Sequence, residues 1–139
     1  WNISRNAQDE FAIASQKKYA NALAANKWTD EIIPLQVQIG ANVFDFDKDE
    51  HPRLSSMEKL GQLKPAFAKD GTVTAGNSSG INDGAAAGLL VGEELMNKLN
   101  VKPLVRVVSM AVAGVDPAYM GVGPVPAVQK ALKRAGLKI

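Results

Sequence analysis

Lys64-Pro65-Ala66-Phe67-Ala68-Lys69-Asp70-Gly71-Thr72-Val73-Thr74-Ala75-Gly76-Asn77-Ser78-Ser79-Gly80-Ile81-Asn82-Asp83-Gly84 is the stretch around which the rest of the chain is organised. Its glycines and asparagines tolerate positive φ, so the backbone can turn tightly and come close to a ligand. No apolar period runs through residues 70–83, which predicts a loop held between ordered elements. The small-apolar run that follows, Ala85-Ala86-Ala87-Gly88-Leu89-Leu90-Val91, reads as a buried strand. A polar loop delivered onto a buried strand is where α/β folds place the groups that meet a ligand.

Outside this stretch, composition narrows the field. A length of 139 residues with 46% apolar content suits one domain with a core. The net charge is +2 with both signs interspersed, so neither nucleic acid nor a membrane surface is an expected partner. The longest apolar run is about eight residues, too short to span a bilayer, and no secretory apolar region opens the chain. With no cysteine, this chain offers no disulfide and no thiol chemistry. It opens on Trp1 rather than methionine, which predicts a processed or excised piece, and a soluble, cytoplasmic origin is the default expectation.

Taken in order, Ser4 is a candidate N-cap for a helix to about Ala25. Ala7, Phe11, Ala14, Ala22 and Ala25 fall near one of its faces, a stripe that predicts close packing against a neighbour. Residues 31–39 alternate, with Ile33, Leu35, Val37 and Ile39 on one face. Gly40-Ala41-Asn42 then turns the chain into Val43-Phe44-Asp45-Phe46 as a hairpin, and Pro34 marks an edge strand. Ser55-Ser56-Met57-Glu58 reads as a capping box opening a short helix that ends before Pro65. Beyond the strand at 85–91 come a short helix from Glu93 to Leu99, stopped by Asn100, and a valine-rich strand over 104–112. Asp116-Pro117 marks a turn. Pro124 then opens a helix with Val125, Val128, Leu132 and Ala135 on one face and Gly136 as its cap. The predicted class is α/β.

Four motif matches carry little. Asp45-Phe46-Asp47-Lys48-Asp49 opens like a calcium loop, but Glu50 and Ser56 stand where glycine and glutamate are needed, so a solvated acidic turn fits better and no metal is expected. Ser56-Met57-Glu58-Lys59 fits S-x-x-K without the companion S-D-N or K-T-G. Gly76-Asn77-Ser78-Ser79-Gly80 fits the G-x-S-x-G elbow, yet the only histidine, His51, precedes the serine and the required order is serine, acid, histidine. Gly121-Val122-Gly123-Pro124 starts like a dinucleotide fingerprint, lacks the third glycine and reads as a turn into a helix.

KPAF, DGTVTAG and SGINDGAA, with Gly114-Val115-Asp116-Pro117-Ala118-Tyr119-Met120-Gly121-Val122-Gly123-Pro124 downstream, closely resemble the thiolase family, enzymes that condense or cleave acyl-CoA thioesters. The likeness runs from Ser4-Arg5-Asn6-Ala7-Gln8-Asp9 to Ala135-Gly136-Leu137. Thiolases usually carry alanine where this chain has Ser78. The resemblance implies a thiolase-like α/β fold. Residues 1–84 would form its CoA-binding loop region, 85–102 the last strand and helix of its N-terminal half, and 103–139 the start of its C-terminal half. It implies an acetyl-CoA C-acetyltransferase acting in fatty-acid metabolism, with coenzyme A entering as the substrate thioester, in a homo-oligomer. The covalent chemistry of the family uses a nucleophilic cysteine, an activating histidine, a second cysteine for proton transfer and oxyanion holes. No cysteine is present here, so the chain is expected to be an internal segment with no catalytic residue of its own. The rival expectation is a non-catalytic CoA-binding or structural segment.

Within the family's CoA-binding part the resemblance implies specific roles. Ser79 matches the serine that hydrogen-bonds the pantetheine arm, and Ala75 the small residue that lets the arm lie against the backbone. Leu63 and Phe67 match apolar positions near the cofactor. Arg53, in Asp49-Glu50-His51-Pro52-Arg53, matches the D-E-x-x-R arginine at the nucleotide end, where a planar cation suits phosphate or a stacked purine. Its interval to Phe67 is slightly shorter than in some members. Met120 matches a methionine of the acyl pocket. For Leu63, Phe67 and Met120 core packing is the plain alternative; for Ser79 it is a hydrogen bond within the loop.

Overall fold

The computed structural model describes all 139 residues. In chain order the elements are helix α1 (Arg5–Ala24), strands β1 (Leu35–Ile39) and β2 (Asn42–Phe46), helix α2 (Met57–Gly61), helix α3 (Glu93–Leu99), a 3-10 helix (Pro117–Val122) and helix α4 (Pro124–Ala135). Two compact units divide them, Trp1–Gly84 and Ala85–Ile139.

In the first unit, α1 begins as its sequence predicts: Ser4 sits in extended conformation and its side chain accepts from the Ala7 N–H at 3.2 Å. Its covered face is not the alanine stripe. Asp9 and Ile13 are its buried residues, flanked by half-buried Arg5, Gln8, Ala12 and Gln16, whereas Phe11 stays 77% exposed. Position on the helix wheel favours alanine, but the side that turns inward is the one carrying the part-buried Arg5–Asp9 pair and its hydrogen bonds to distant loops. Near the helix end, Tyr19 and Trp28 stack with ring centroids 5.7 Å apart.

The hairpin forms in the expected register, antiparallel from Leu35↔Phe46 to Ile39↔Asn42. The two-residue connection Gly40-Ala41 carries its positive φ (63°) at the first position, the place glycine takes in a type II′ turn. The strand starts at Leu35, after Pro34, because residues 29–32 are taken up by turns at the end of α1. Helix α2 is capped one residue later than the capping box implies: Ser56, not Ser55, accepts from the Lys59 N–H at 3.3 Å, and Glu58 falls in the first turn.

In the second unit, α3 ends at Asn100, which adopts the left-handed conformation (φ 50°), and Asp116 caps the 3-10 helix by accepting from the Ala118 N–H at 2.9 Å. Helix α4 carries a proline in its first turn and ends on Gly136 at φ 70°. Pro126, Ala127, Ala131, Leu132 and Ala135 are its half-buried residues, while Val125 and Val128 remain exposed.

The strands predicted at 85–91 and 104–112 do not form. No backbone–backbone hydrogen bond involves residues 85–91 or 102–115, and Leu89, Leu90, Leu104, Val105 and Val112 are all exposed. A ladder needs a partner, and the chain's only sheet is the two-stranded hairpin of the other unit. The stretch is instead tethered by α4 side chains. Arg134 Nη1 donates to the Met110 carbonyl at 2.7 Å and Lys130 Nζ to the Val112 carbonyl at 3.2 Å, while Ser109 Oγ donates to the Ala131 carbonyl at 2.7 Å.

Candidate functional site

The four buried residues of the chain, Asp9, Ile13, Leu60 and Thr74, come from α1, α2 and the glycine-rich loop. The core of the first unit therefore lies under the loop that carries Ala75 and Ser79. Thr74 is fully buried. Its N–H donates to Asn77 Oδ1 at 2.8 Å, its hydroxyl accepts from the Gly76 N–H at 3.2 Å, and its carbonyl accepts from the Ser78 hydroxyl at 2.8 Å. Residues 74–78 thus close on themselves as a turn, which accounts for the concentration of Thr, Asn and Ser there.

Loop and helices are joined through one carboxylate. Asp9 Oδ1 accepts from Asn77 Nδ2 at 2.9 Å, and Asp9 Oδ2 accepts from Arg5 Nε at 2.9 Å. The same Asn77 amide donates to the Thr72 carbonyl at 3.0 Å. Arg5 Nη2 donates to the carbonyls of Leu60 and, at 3.1 Å, Leu63, the last residues of α2 and its exit. Gln8 Nε2 adds a bond to Thr72 Oγ1 at 2.9 Å. Hydrogen bonds to a charged partner are worth about 1.5–3 kcal/mol each, roughly twice a neutral one, so this cluster is the strongest polar tie in the unit.

Each residue implied for CoA can now be placed. Ala75 and Ser79 are exposed on the loop, and the loop-internal bond is made by Ser78, leaving the Ser79 hydroxyl on the surface. Leu63 follows α2 and lies beside Gly76, where a Cβ would come within 2.7 Å of Leu63 Cδ1. Phe67 is 82% exposed, which removes the plain core-packing alternative for it within this chain. Arg53 has an exposed side chain, while its N–H donates to Gln16 Oε1 at 2.8 Å and so fixes its backbone to α1. His51 packs over Gly80, the residue after Ser79, where an added Cβ would collide with the His51 ring. Ser79, Ala75, Leu63 and Arg53 are thus all carried by segments anchored to α1 or α2. Met120 belongs to the 3-10 helix of the other unit and is exposed. A separate hollow of about 260 Å³, lined by Leu23, Trp28, Ile32, Pro34 and Asp47 among others, contains none of these residues.

Sequence reasoning missed Asp9, Arg5 and Asn77. The signal was weak: a charged pair at i, i+4 on a helix is usually solvated, and only the 68-residue reach to Asn77 shows this one turned inward.

Two family profiles match the chain, that of the thiolase N-terminal domain over residues 1–94 and that of the thiolase C-terminal domain over 101–139. The chain belongs to the thiolase family. Among the curated proteins, it is 48% identical over 140 residues to an acetyl-CoA acetyltransferase of Rhizobium meliloti (strain 1021) and 50% identical to one of Escherichia coli (strain K12). Both alignments cover 100% of this chain and 36% of the relative. Among solved structures, the Bacillus anthracis acetyl-CoA acetyltransferase superposes with a TM-score of 0.87 at 44% identity, covering 99% of this chain and 35% of that one. Human mitochondrial 3-ketoacyl-CoA thiolase gives 0.81 at 42% identity, covering 98% and 35%. The chain therefore spans about a third of the length of the relatives it matches, and its fold is the α/β fold of that part of a thiolase.

Proposed function

We propose that this chain is the acyl-CoA-binding portion of a thiolase-type acetyl-CoA C-acetyltransferase, which moves an acetyl group between two CoA thioesters. The observation that carries this reading is the end-to-end similarity to acetyl-CoA acetyltransferases at about half of all positions. In this reading Ser79 donates its free hydroxyl to the pantetheine arm, and Ala75 leaves room for the arm against the backbone. Leu63 and Phe67 offer it apolar contact, Arg53 meets the nucleotide end, and Met120 lines the acyl pocket. With no cysteine in the chain, the thiolate nucleophile and the proton-transferring thiol belong to the rest of the protein. The working form is a cytoplasmic homo-oligomer.

Ala75→Trp in the complete protein fills the space required by the arm and is expected to raise KM for acetyl-CoA steeply. Ser79→Ala is expected to cost about 0.5–1.5 kcal/mol in kcat/KM, the worth of one hydrogen bond. Unchanged KM and kcat for Ala75→Trp would take the loop out of the binding site. The 139 residues alone are expected to show no thiolysis, because no group in them can accept the acyl chain as a thioester. That absence also favours a second reading, a CoA-binding or structural segment without catalysis, and acetyl transfer by the complete protein would exclude it.

A further inference from the structure

We infer that Asp9 and Arg5 are positioning residues for acyl-CoA binding: they set the height and tilt of the 72–79 loop without touching the ligand. The inference rests on the reading of that loop given under Proposed function.

Asp9 is 2% exposed, and both of its oxygens are engaged by donors from different parts of the chain. One donor is Asn77, whose carbonyl oxygen in turn receives the Thr74 N–H and whose amide also holds the Thr72 carbonyl. A single side chain therefore spans the base of the turn that presents Ala75, and Ser79 lies two residues beyond it. The other donor is Arg5, which also holds the carbonyls of Leu60 and Leu63. Leu63 and the loop are thereby referred to the same carboxylate, so the apolar and the polar side of the pantetheine path share one anchor. Two directed bonds to one carboxylate fix both the distance and the orientation of the groups that make them.

The chemistry of the pair gives a sharp test. In Asp9→Asn the new side chain has one acceptor and one donor end, so either Arg5 or Asn77 meets a donor where it needs an acceptor. In the complete protein this variant is expected to raise KM for acetyl-CoA on the order of tenfold while kcat stays within about twofold, the pattern of lost substrate binding. A KM unchanged in Asp9→Asn overturns the inference. If Asp9→Asn does not fold, Arg5→Lys keeps the charge but cannot reach three acceptors from one planar fork, and an unchanged KM there is equally fatal. Ala75→Trp run alongside separates the two claims. A high KM for Ala75→Trp with a normal one for Asp9→Asn sinks the positioning role alone; normal values in both sink the loop assignment with it.

Discussion

Gly76→Ala is expected to destabilise the complete protein by about 1–2 kcal/mol, within the usual range for overpacking a filled site. The backbone at Gly76 has no positive φ, so the cost arises from packing alone. A Cβ there would lie 2.5 Å from Leu60 Cδ2 and 2.7 Å from Leu63 Cδ1, both inside the limit that real Cβ atoms respect. The two obstacles differ in how far they can yield. Leu60 is 5% exposed and touches the core, so its displacement opens a gap elsewhere, whereas Leu63 is 38% exposed and can rotate outward. The assay is denaturant or thermal unfolding of four proteins: wild type, Gly76→Ala, Leu63→Ala and the double variant. With Leu63 truncated only Leu60 still opposes the new methyl group, so the cycle should return a favourable coupling of about 0.5–1 kcal/mol. Because the relaxed Leu63 moves away from the pantetheine path proposed above, KM for acetyl-CoA should also rise in Gly76→Ala. A stability within about 0.3 kcal/mol of wild type, or the same cost in both Leu63 backgrounds, would refute the close approach of loop and α2.

Other outcomes follow from the same geometry. Gly80→Ala should cost less than about 0.5 kcal/mol despite its tighter clash, because the obstructing His51 ring is exposed and free to swing away. A change in the His51 ring proton shifts should report that swing, and a loss as large as that of Gly76→Ala would contradict it. The 139-residue chain by itself should associate at micromolar concentration, since residues 85–91 and 104–112 leave apolar side chains and ladder groups open. Sedimentation velocity with thermal unfolding checks this; a compact monomer with a cooperative transition would disprove it.

What was legible in the sequence was local. Ser4, Gly40, Asn100, Pro124 and Gly136 each stand where the structure needs a cap, a positive φ or a first-turn proline, because those demands are met within a few residues of the position itself. Ser56 shows the margin: two serines in succession can both cap, and the hydrogen bond to Lys59 selects the second. The loop was legible as a loop, and the thiolase-like words within it identified the family. The inward face of α1 was not, since the charge pair that turns it toward the core finds its third partner in Asn77, far along the chain.

The same distinction explains the two missing strands. Residues 85–91 and 104–112 have strand composition, yet composition describes only what a segment would do beside a partner. β1 and β2 show the reverse case: neither strand has a buried residue, but a two-residue turn delivers each to the other and the ladder closes. The hairpin strands have their partner within this chain, whereas residues 85–91 and 104–112 find none in the third of a thiolase that it spans. Both thiolase neighbours are nearly three times as long as this chain and still follow its backbone with TM-scores of 0.87 and 0.81. Most of this chain's backbone thus follows that of a thiolase, although residues 85–91 and 104–112 form no ladder within it. On that argument the side chains of α4 that grip Met110 and Val112 matter more than their exposure suggests, because they supply part of the constraint that neighbouring strands normally provide.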